Sequence, residues 1–151
     1  MTDTTIAGDF TAVLDLPAAP EDLIALFTSP EGVSRWWGPT TGDGKIGGVL
    51  VISFGEHGQN AVRVLQTDPG RVVWEPVVAD GSTPTGHTHE WLGTTIEVEV
   101  RAAGEGAQLH FRHRGLTPKL ACWDDCVAGW NHFMASISSL LRTGSGHPYG
   151  S

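Results

Sequence analysis

The chain has 151 residues, 40% of them hydrophobic and 17% charged, which suffices for one domain with a single core and no disulfide or metal staple. Nine basic residues against 17 acidic ones give a formal net charge of −8, which opposes the attraction that nucleic acids and anionic membranes exert on their partners, so neither is expected to bind. The start, Met1-Thr2-Asp3-Thr4-Thr5, has neither the basic stretch nor the apolar run of a secretory signal, and no segment approaches the ~18 apolar residues of a membrane span; a cytoplasmic protein is expected.

Ile6 to Leu16 alternates, with Phe10, Ala12, Leu14 and Leu16 on one side and Thr11 and Asp15 on the other, which predicts a half-buried strand. Pro17-Ala18-Ala19-Pro20 stops it, and Pro20 suits the first turn of a short helix through Phe27 that starts with Glu21 and Asp22. Thr28 with Glu31 has the spacing of a capping box for a second short helix, from Pro30 to Trp36.

From Lys45 the pattern is a meander. Gly47-Gly48 opens a strand from Val49 to Phe54, Glu56-His57-Gly58 turns it into Asn60 to Thr67, and Asp68-Pro69-Gly70 turns again before Arg71 to Glu75. A polar loop from Asp80 to Gly86 follows. Ile96, Val98 and Val100 then share one face against Glu97, Glu99 and Arg101, and Gly104-Glu105-Gly106 leads into Ala107 to Arg114. There Leu109, Phe111 and His113 share a face opposite Gln108, His110 and Arg112.

The last element is a long amphipathic helix from about Trp123 to Thr143. At ~100° per residue, Trp123, Cys126, Val127, Trp130, Phe133, Met134, Ile137, Leu140 and Leu141 fall within an arc of roughly 140°. Asp124, Asp125, His132, Ser138, Ser139 and Arg142 take the other side, and Gly144 followed by Pro148 ends the helix. So broad an apolar face needs a broad apolar partner. A curved antiparallel sheet gripping this helix is the expected packing, an α+β fold in one domain.

Strand, two short helices ending in Ser34-Arg35-Trp36-Trp37-Gly38, a strand opened by Lys45-Ile46-Gly47-Gly48, and later Leu109-His110-Phe111-Arg112-His113-Arg114-Gly115-Leu116 form a sequence that resembles the START-like (SRPBCC) superfamily. Gly129-Trp130-Asn131, Leu140-Leu141-Arg142-Thr143-Gly144 and His147-Pro148-Tyr149 resemble the closing segment of its branch of heat-shock-protein-90 ATPase activator homologues. The resemblance implies a helix-grip fold with a cavity between the sheet and the last helix. It implies no single activity, since the superfamily includes lipid carriers, hormone receptors, polyketide cyclases and oxygenase domains.

If the helix covers the concave face, Phe54, Trp74, Phe111 and His113 oppose Trp130, Phe133, Met134 and Ile137, with Trp36 and Trp37 near the mouth. Trp37 and Trp91, at element ends, are the strongest wall candidates, and a small hydrophobic molecule (a lipid, an aromatic or a polyketide-like compound) is the expected partner. His113 points inward, where it either orients a ligand and relays a proton or is satisfied by the protein itself.

Other constellations fall on spacing. Gly42-Asp43-Gly44-Lys45-Ile46-Gly47 precedes a strand instead of opening a helix, so it lacks the helix terminus that dinucleotide binding uses, and Gly44-Lys45 has no following Ser or Thr. His87-Thr88-His89-Glu90 offers an incomplete ligand set if extended; His110 and His113 face opposite sides; Cys122 and Cys126 lack further ligands and are expected as reduced thiols. No G-x-S-x-G elbow is present, and Asp124-Asp125 reads as a solvated helix face. No metal or cofactor is expected.

Three readings of function follow. A carrier or sensor of a small hydrophobic molecule leads, ahead of a cyclase, dehydratase or isomerase with His113 as acid or base, and of a co-chaperone-like activator. The oligomeric state is open, a homodimer included.

Overall fold

The computed structural model describes residues 9–79 and 88–150. Strands β1 (Phe10–Leu16), β2 (Thr40–Gly42), β3 (Val49–Ser53), β4 (Gln59–Asp68), β5 (Arg71–Val77), β6 (Thr95–Ala103) and β7 (Gly106–Arg114) form one antiparallel sheet in the order β1-β7-β6-β5-β4-β3-β2. Helix α1 (Pro20–Ile24) with a 3-10 turn (Ala25–Phe27), and helix α2 (Pro30–Ser34), connect β1 to β2. A one-turn helix α3 (Thr88–Trp91) precedes β6, and α4 (Trp123–Thr143) closes the fold as a helix held by the sheet. The expected helix-grip architecture is therefore the observed one. Residues 6–8 of the expected first strand, the loop 80–86 and His87 lie outside the described residues. No described helix is long and apolar enough to cross a membrane.

Strand pairing carries the alternation of each sequence segment into layers. Phe10 pairs with His113, His113 with Ile96, Ile96 with Trp74 and Trp74 with Val64, so one inward row crosses five strands. The next row runs Ala12, Phe111, Val98, Val72. Between Val64 and Gln66 the register shifts, and this bulge turns Leu65 outward, 43% exposed, while Val62 and Val64 stay buried.

The outer face is polar. Arg71 and Arg101 meet Glu99, Arg114 meets Glu97, Arg63 meets Glu75, and Arg112 holds Asp9. Such exposed pairs contribute little stability singly, about 0–1 kcal/mol each. They do keep the charges on the convex side.

Local chemistry sets the helix ends. Pro20 and Pro30 stand in the first turns of α1 and α2. The cap of α2 differs from the expected Thr28: the extended Ser29 accepts a hydrogen bond from Gly32 N at 3.0 Å. Pro30 fixes the first helical position, which leaves the residue just before it as the cap. The two short helices are also shorter than expected, since the 3-10 turn ends the first and Arg35 caps the second. β2 and α3 had no signal in the hydrophobic periodicity. The metal reading of His87-Thr88-His89-Glu90 needed an extended segment, but Thr88–Trp91 is helical, and His87 lies outside the described residues. Among the described residues no group of three or more metal-ligating side chains gathers.

Helix α4 lays Cys126, Trp130, Met134, Ile137 and Leu140 on the sheet, together with Ser136. Its N-terminal residue Cys122 has no side-chain cap, and Glu90 Oε1 accepts the Cys122 N–H at 3.1 Å instead. At the other end Gly144, at φ +88°, returns its N–H to Leu140 O.

Two helical glycines show how differently the same residue is used. A Cβ on Gly32 would lie 2.2 Å from Ala25 O, so α2 can rest against the 3-10 turn only without a side chain there. A Cβ on Gly129, in α4, would meet nothing within 4 Å. Gly32→Ala should therefore destabilise by about 1–3 kcal/mol through overpacking, whereas Gly129→Ala should stabilise by about 0.5–1 kcal/mol through helix propensity. Urea unfolding of the two variants checks the opposite signs.

Candidate functional site

Trp130 sits at the centre of the interior, 1% exposed. Its ring centroid lies 4.6 Å from Phe111, 5.1 Å from Trp37 and 5.6 Å from Trp91, the last nearly parallel at 13°. A buried indole N–H usually finds an acceptor, since leaving it unpaired is costly. His113 Nδ1 provides it at 3.1 Å.

That contact fixes the imidazole. An indole nitrogen only donates, so Nδ1 must be bare and the ring proton resides on Nε2. Nε2 donates to Thr94 Oγ1 at 2.8 Å, and Thr94 Oγ1 donates to Trp91 O at 2.6 Å. Both ring nitrogens are thus engaged within the protein. Burial pushes the His113 pKa from 6.5 down to about 3, with the Asp9 carboxylate pulling weakly the other way. A neutral ring with no open nitrogen is a poor proton relay near pH 7.

Around this core the aromatic rings sort into filling and wall. Trp36, Trp74, Phe111, His113, Met134 and Ile137 pack into the interior, and Trp36 Nε1 donates to Leu26 O at 2.7 Å. Trp37 stacks between Trp36 and Trp74 at 5.5 and 6.0 Å. Trp37, Phe54, Trp91, Trp130 and Phe133 also border a pocket of about 420 Å³. It opens beside the first turns of α4, near the β3–β4 hairpin, so the space lies at one end of the sheet and helix interface. Indoles fill the middle.

Asp125, Cys126, Gly129, His57, Asn60 and Tyr149 complete the wall. Asp125, Gly129 and Phe133 recur at four-residue spacing, one stripe of α4 beside the stripe that enters the core. The sequence signal for it was Gly129, a poor helix former in the middle of a long helix. Asp125 reads as solvated in sequence and is exposed, yet it borders the mouth. Tyr149 arrives from the tail after α4. Its N–H donates to Trp37 O at 2.9 Å, His147 N donates to Ser136 Oγ at 2.7 Å, and its ring meets Phe54 edge-on at 5.5 Å.

The two cysteines are free thiols. Trp91 Nε1 donates to Cys126 Sγ at 3.3 Å. Burial and the neighbouring Cys122 push the Cys126 thiol up to about 12. A thiol held protonated is a weak nucleophile and a weak metal ligand.

With the seven-stranded sheet, the gripped helix and the aromatic pocket described, the chain has the architecture of a helix-grip protein. Residues 17–142 match the family described as activator of Hsp90 ATPase homolog 1-like protein, and the chain belongs to that family, within the START-like superfamily. The solution structure of the Aha1 dimer from Colwellia psychrerythraea superposes with a TM-score of 0.77 at 21% identity, over 91% of this chain and 98% of that one. DynU16, a protein of the dynemicin biosynthetic locus, gives 0.71 at 17% identity over 94% of this chain and 50% of its own. CalU16 from Micromonospora echinospora gives 0.68 at 18% identity over 93% and 77%. No curated protein matches the chain.

The buried imidazole makes stability depend on pH with a definite sign. Above pH 6.5 it is neutral both folded and unfolded; below, the unfolded chain takes up a proton that the folded one refuses until about pH 3. Stability is therefore fully present above pH 6.5 and is lost as pH falls through that window, by about 1.4 kcal/mol per pH unit at most. His113→Phe should be less stable than the parent at pH 7.5, by about 1–3 kcal/mol for the orphaned Trp130 N–H, and the gap should close with acidification. Urea midpoints of both proteins across pH 7.5 to 4.5 measure it; a gap independent of pH would refute the assignment.

Proposed function

We propose that this protein binds a small hydrophobic molecule, as a carrier or a sensor, in the pocket beside α4. One observation carries the reading: Trp37, Phe54, Trp91, Trp130 and Phe133 border a cavity of about 420 Å³ beside α4, and at that wall Gly129 leaves open space. A mid-helix glycine costs stability, and a larger side chain there would occupy the cavity. Aromatic walls with a few polar atoms at the rim are the usual make-up of a small-molecule site. The kinship in fold with DynU16, from a biosynthetic locus, supports a small-molecule role in the same direction.

Acid–base catalysis through His113 has less support, since the ring is committed on both nitrogens and stands outside the pocket wall. A co-chaperone role draws its support from the family's name and from the likeness to Aha1. That second reading predicts stimulation of a heat-shock-protein-90 ATPase by the purified chain. The proposal assigns the protein to the cytoplasm, with a homodimer as the first oligomeric state to test, given the dimeric Aha1 of similar fold.

Native mass spectrometry of the purified protein should reveal a co-purified adduct, or the neutral dye Nile red should bind the adduct-free protein. Gly129→Phe should weaken dye binding about tenfold or more by filling the cavity, with helix content and melting temperature retained. Absence of both adduct and dye binding, or dye binding indifferent to Gly129→Phe, would remove the proposal.

A further inference from the structure

We infer that Tyr149 sets the length of ligand that the pocket accepts: its ring is the wall that yields, turning aside for a long apolar molecule and staying in place for a short one. This rests on the binding role proposed above and specifies how that site discriminates. Two spaces meet at Tyr149. On one side lies the aromatic pocket of about 420 Å³, and on the other a cleft of about 490 Å³ bordered by Thr41, Val51, Ser53 and Gln59. Among the described lining residues Tyr149 is the one that both share. The groups beyond it in the cleft are neutral hydroxyls, an amide and a methyl-bearing side chain, surroundings that suit a phenol.

The other large rings of the wall are held. Trp37, 1% exposed, is stacked between Trp36 and Trp74. Trp91 and Trp130 are buried, stack on each other and donate to Cys126 Sγ and His113 Nδ1. Phe54 and Phe133 are half-buried and pack on Trp37. Tyr149 differs: it is 37% exposed, and its ring meets Phe54 and the exposed His57 edge-on, at 5.5 and 6.3 Å. Moving it breaks no stack.

The tail gives this ring a fixed pivot. Ser139 Oγ donates to Ser145 O at 2.7 Å, His147 N to Ser136 Oγ at 2.7 Å and Tyr149 N to Trp37 O at 2.9 Å, so the backbone is tied on both sides of Pro148. A Cβ on Gly146 would lie 2.5 Å from Arg35 O, a measure of how closely the tail is seated. With the backbone held, the ring moves by rotation about χ1 between staggered positions, which exposed side chains do readily. In its present position the phenol lies over the β3–β4 turn, where a Cβ on Gly55 would come within 2.9 Å of its hydroxyl. A ligand long enough to reach Phe54 and His57 takes over the edge contacts of the displaced ring, whereas a shorter one offers nothing in exchange for them.

Two neutral probes of different length, naphthalene and 1,6-diphenylhexatriene, test this on the full-length protein. Naphthalene is followed by the indole N–H resonances of Trp91 and Trp130, and diphenylhexatriene by its own fluorescence. Tyr149→Ala should raise the affinity for diphenylhexatriene relative to naphthalene about threefold or more, with the melting temperature retained, and Tyr149→Phe, which keeps the ring, should leave the ratio unchanged. Tyr149 is the only tyrosine, so its ring resonances are assigned without ambiguity. The nuclear Overhauser contact between the Tyr149 and Phe54 rings should persist in the naphthalene complex and vanish in the diphenylhexatriene complex. A ratio unmoved by Tyr149→Ala, a Tyr149 to Phe54 contact that survives diphenylhexatriene, or refusal of that probe by the parent protein overturns the inference, while naphthalene binding preserves the pocket. Failure of both probes to bind overturns the inference and the binding role together.

Discussion

The hydrogen bond from Trp130 to His113 is the contact on which the interior depends. A long helix can be laid on a sheet in many rotations, but an indole buried at its centre favours those that satisfy its N–H. Here the acceptor is a strand side chain in the Phe10, His113, Ile96, Trp74, Val64 row. The bond therefore fixes helix rotation against strand register. It also fixes a tautomer, which commits Nε2 to Thr94 and Thr94 to the carbonyl of Trp91. Trp91 in turn stacks on Trp130 and walls the pocket. One buried polar relay thus sets the position of an aromatic surface that a ligand would touch.

Neutrality is the condition that makes this relay possible. A protonated imidazole could not accept from the indole and would carry an unpaired charge into a dry interior. The same low dielectric holds Cys126 as a thiol, a weak nucleophile. What the pocket does have is shape and polarity. Its walls are rings, its floor is a helix thinned at Gly129, and its rim carries Asp125, while the guanidinium groups paired with Glu75, Glu97, Glu99 and Asp9 lie on the opposite face. It is on these features that the proposed binding role rests.

Much of this was legible from the chain alone. The heptad-like run from Trp123 to Thr143 gave the last helix its bounds, and the alternation at Ile96, Val98, Val100 and at Leu109, Phe111, His113 gave the inward faces. Periodicity reports a face and not a depth, however. Trp74 and Phe54 both lie on the concave side, yet one is core and the other is wall. Nothing in either residue's neighbours along the chain distinguishes them. The short strand Thr40–Gly42 and the turn of helix at Thr88–Trp91 have too few residues for a period to register. Tyr149 lies beyond the last regular element and gains its place through Trp37 and Phe54, 112 and 95 residues back along the chain.

The sequence by itself determined the class of fold, since alternation and helical spacing are local properties and a broad apolar helix face has few stable partners. It also determined the charge balance, nine lysines and arginines against 17 acidic residues. Only the tertiary structure decided which rings fill and which enclose, that His113 is a strut between Trp130 and Thr94, and that Asp125 stands at a pocket mouth instead of an unremarkable solvated surface. Those outcomes depend on side chains meeting across elements distant in sequence, where hydrogen-bond geometry and packing volume choose among arrangements that the local pattern allows equally.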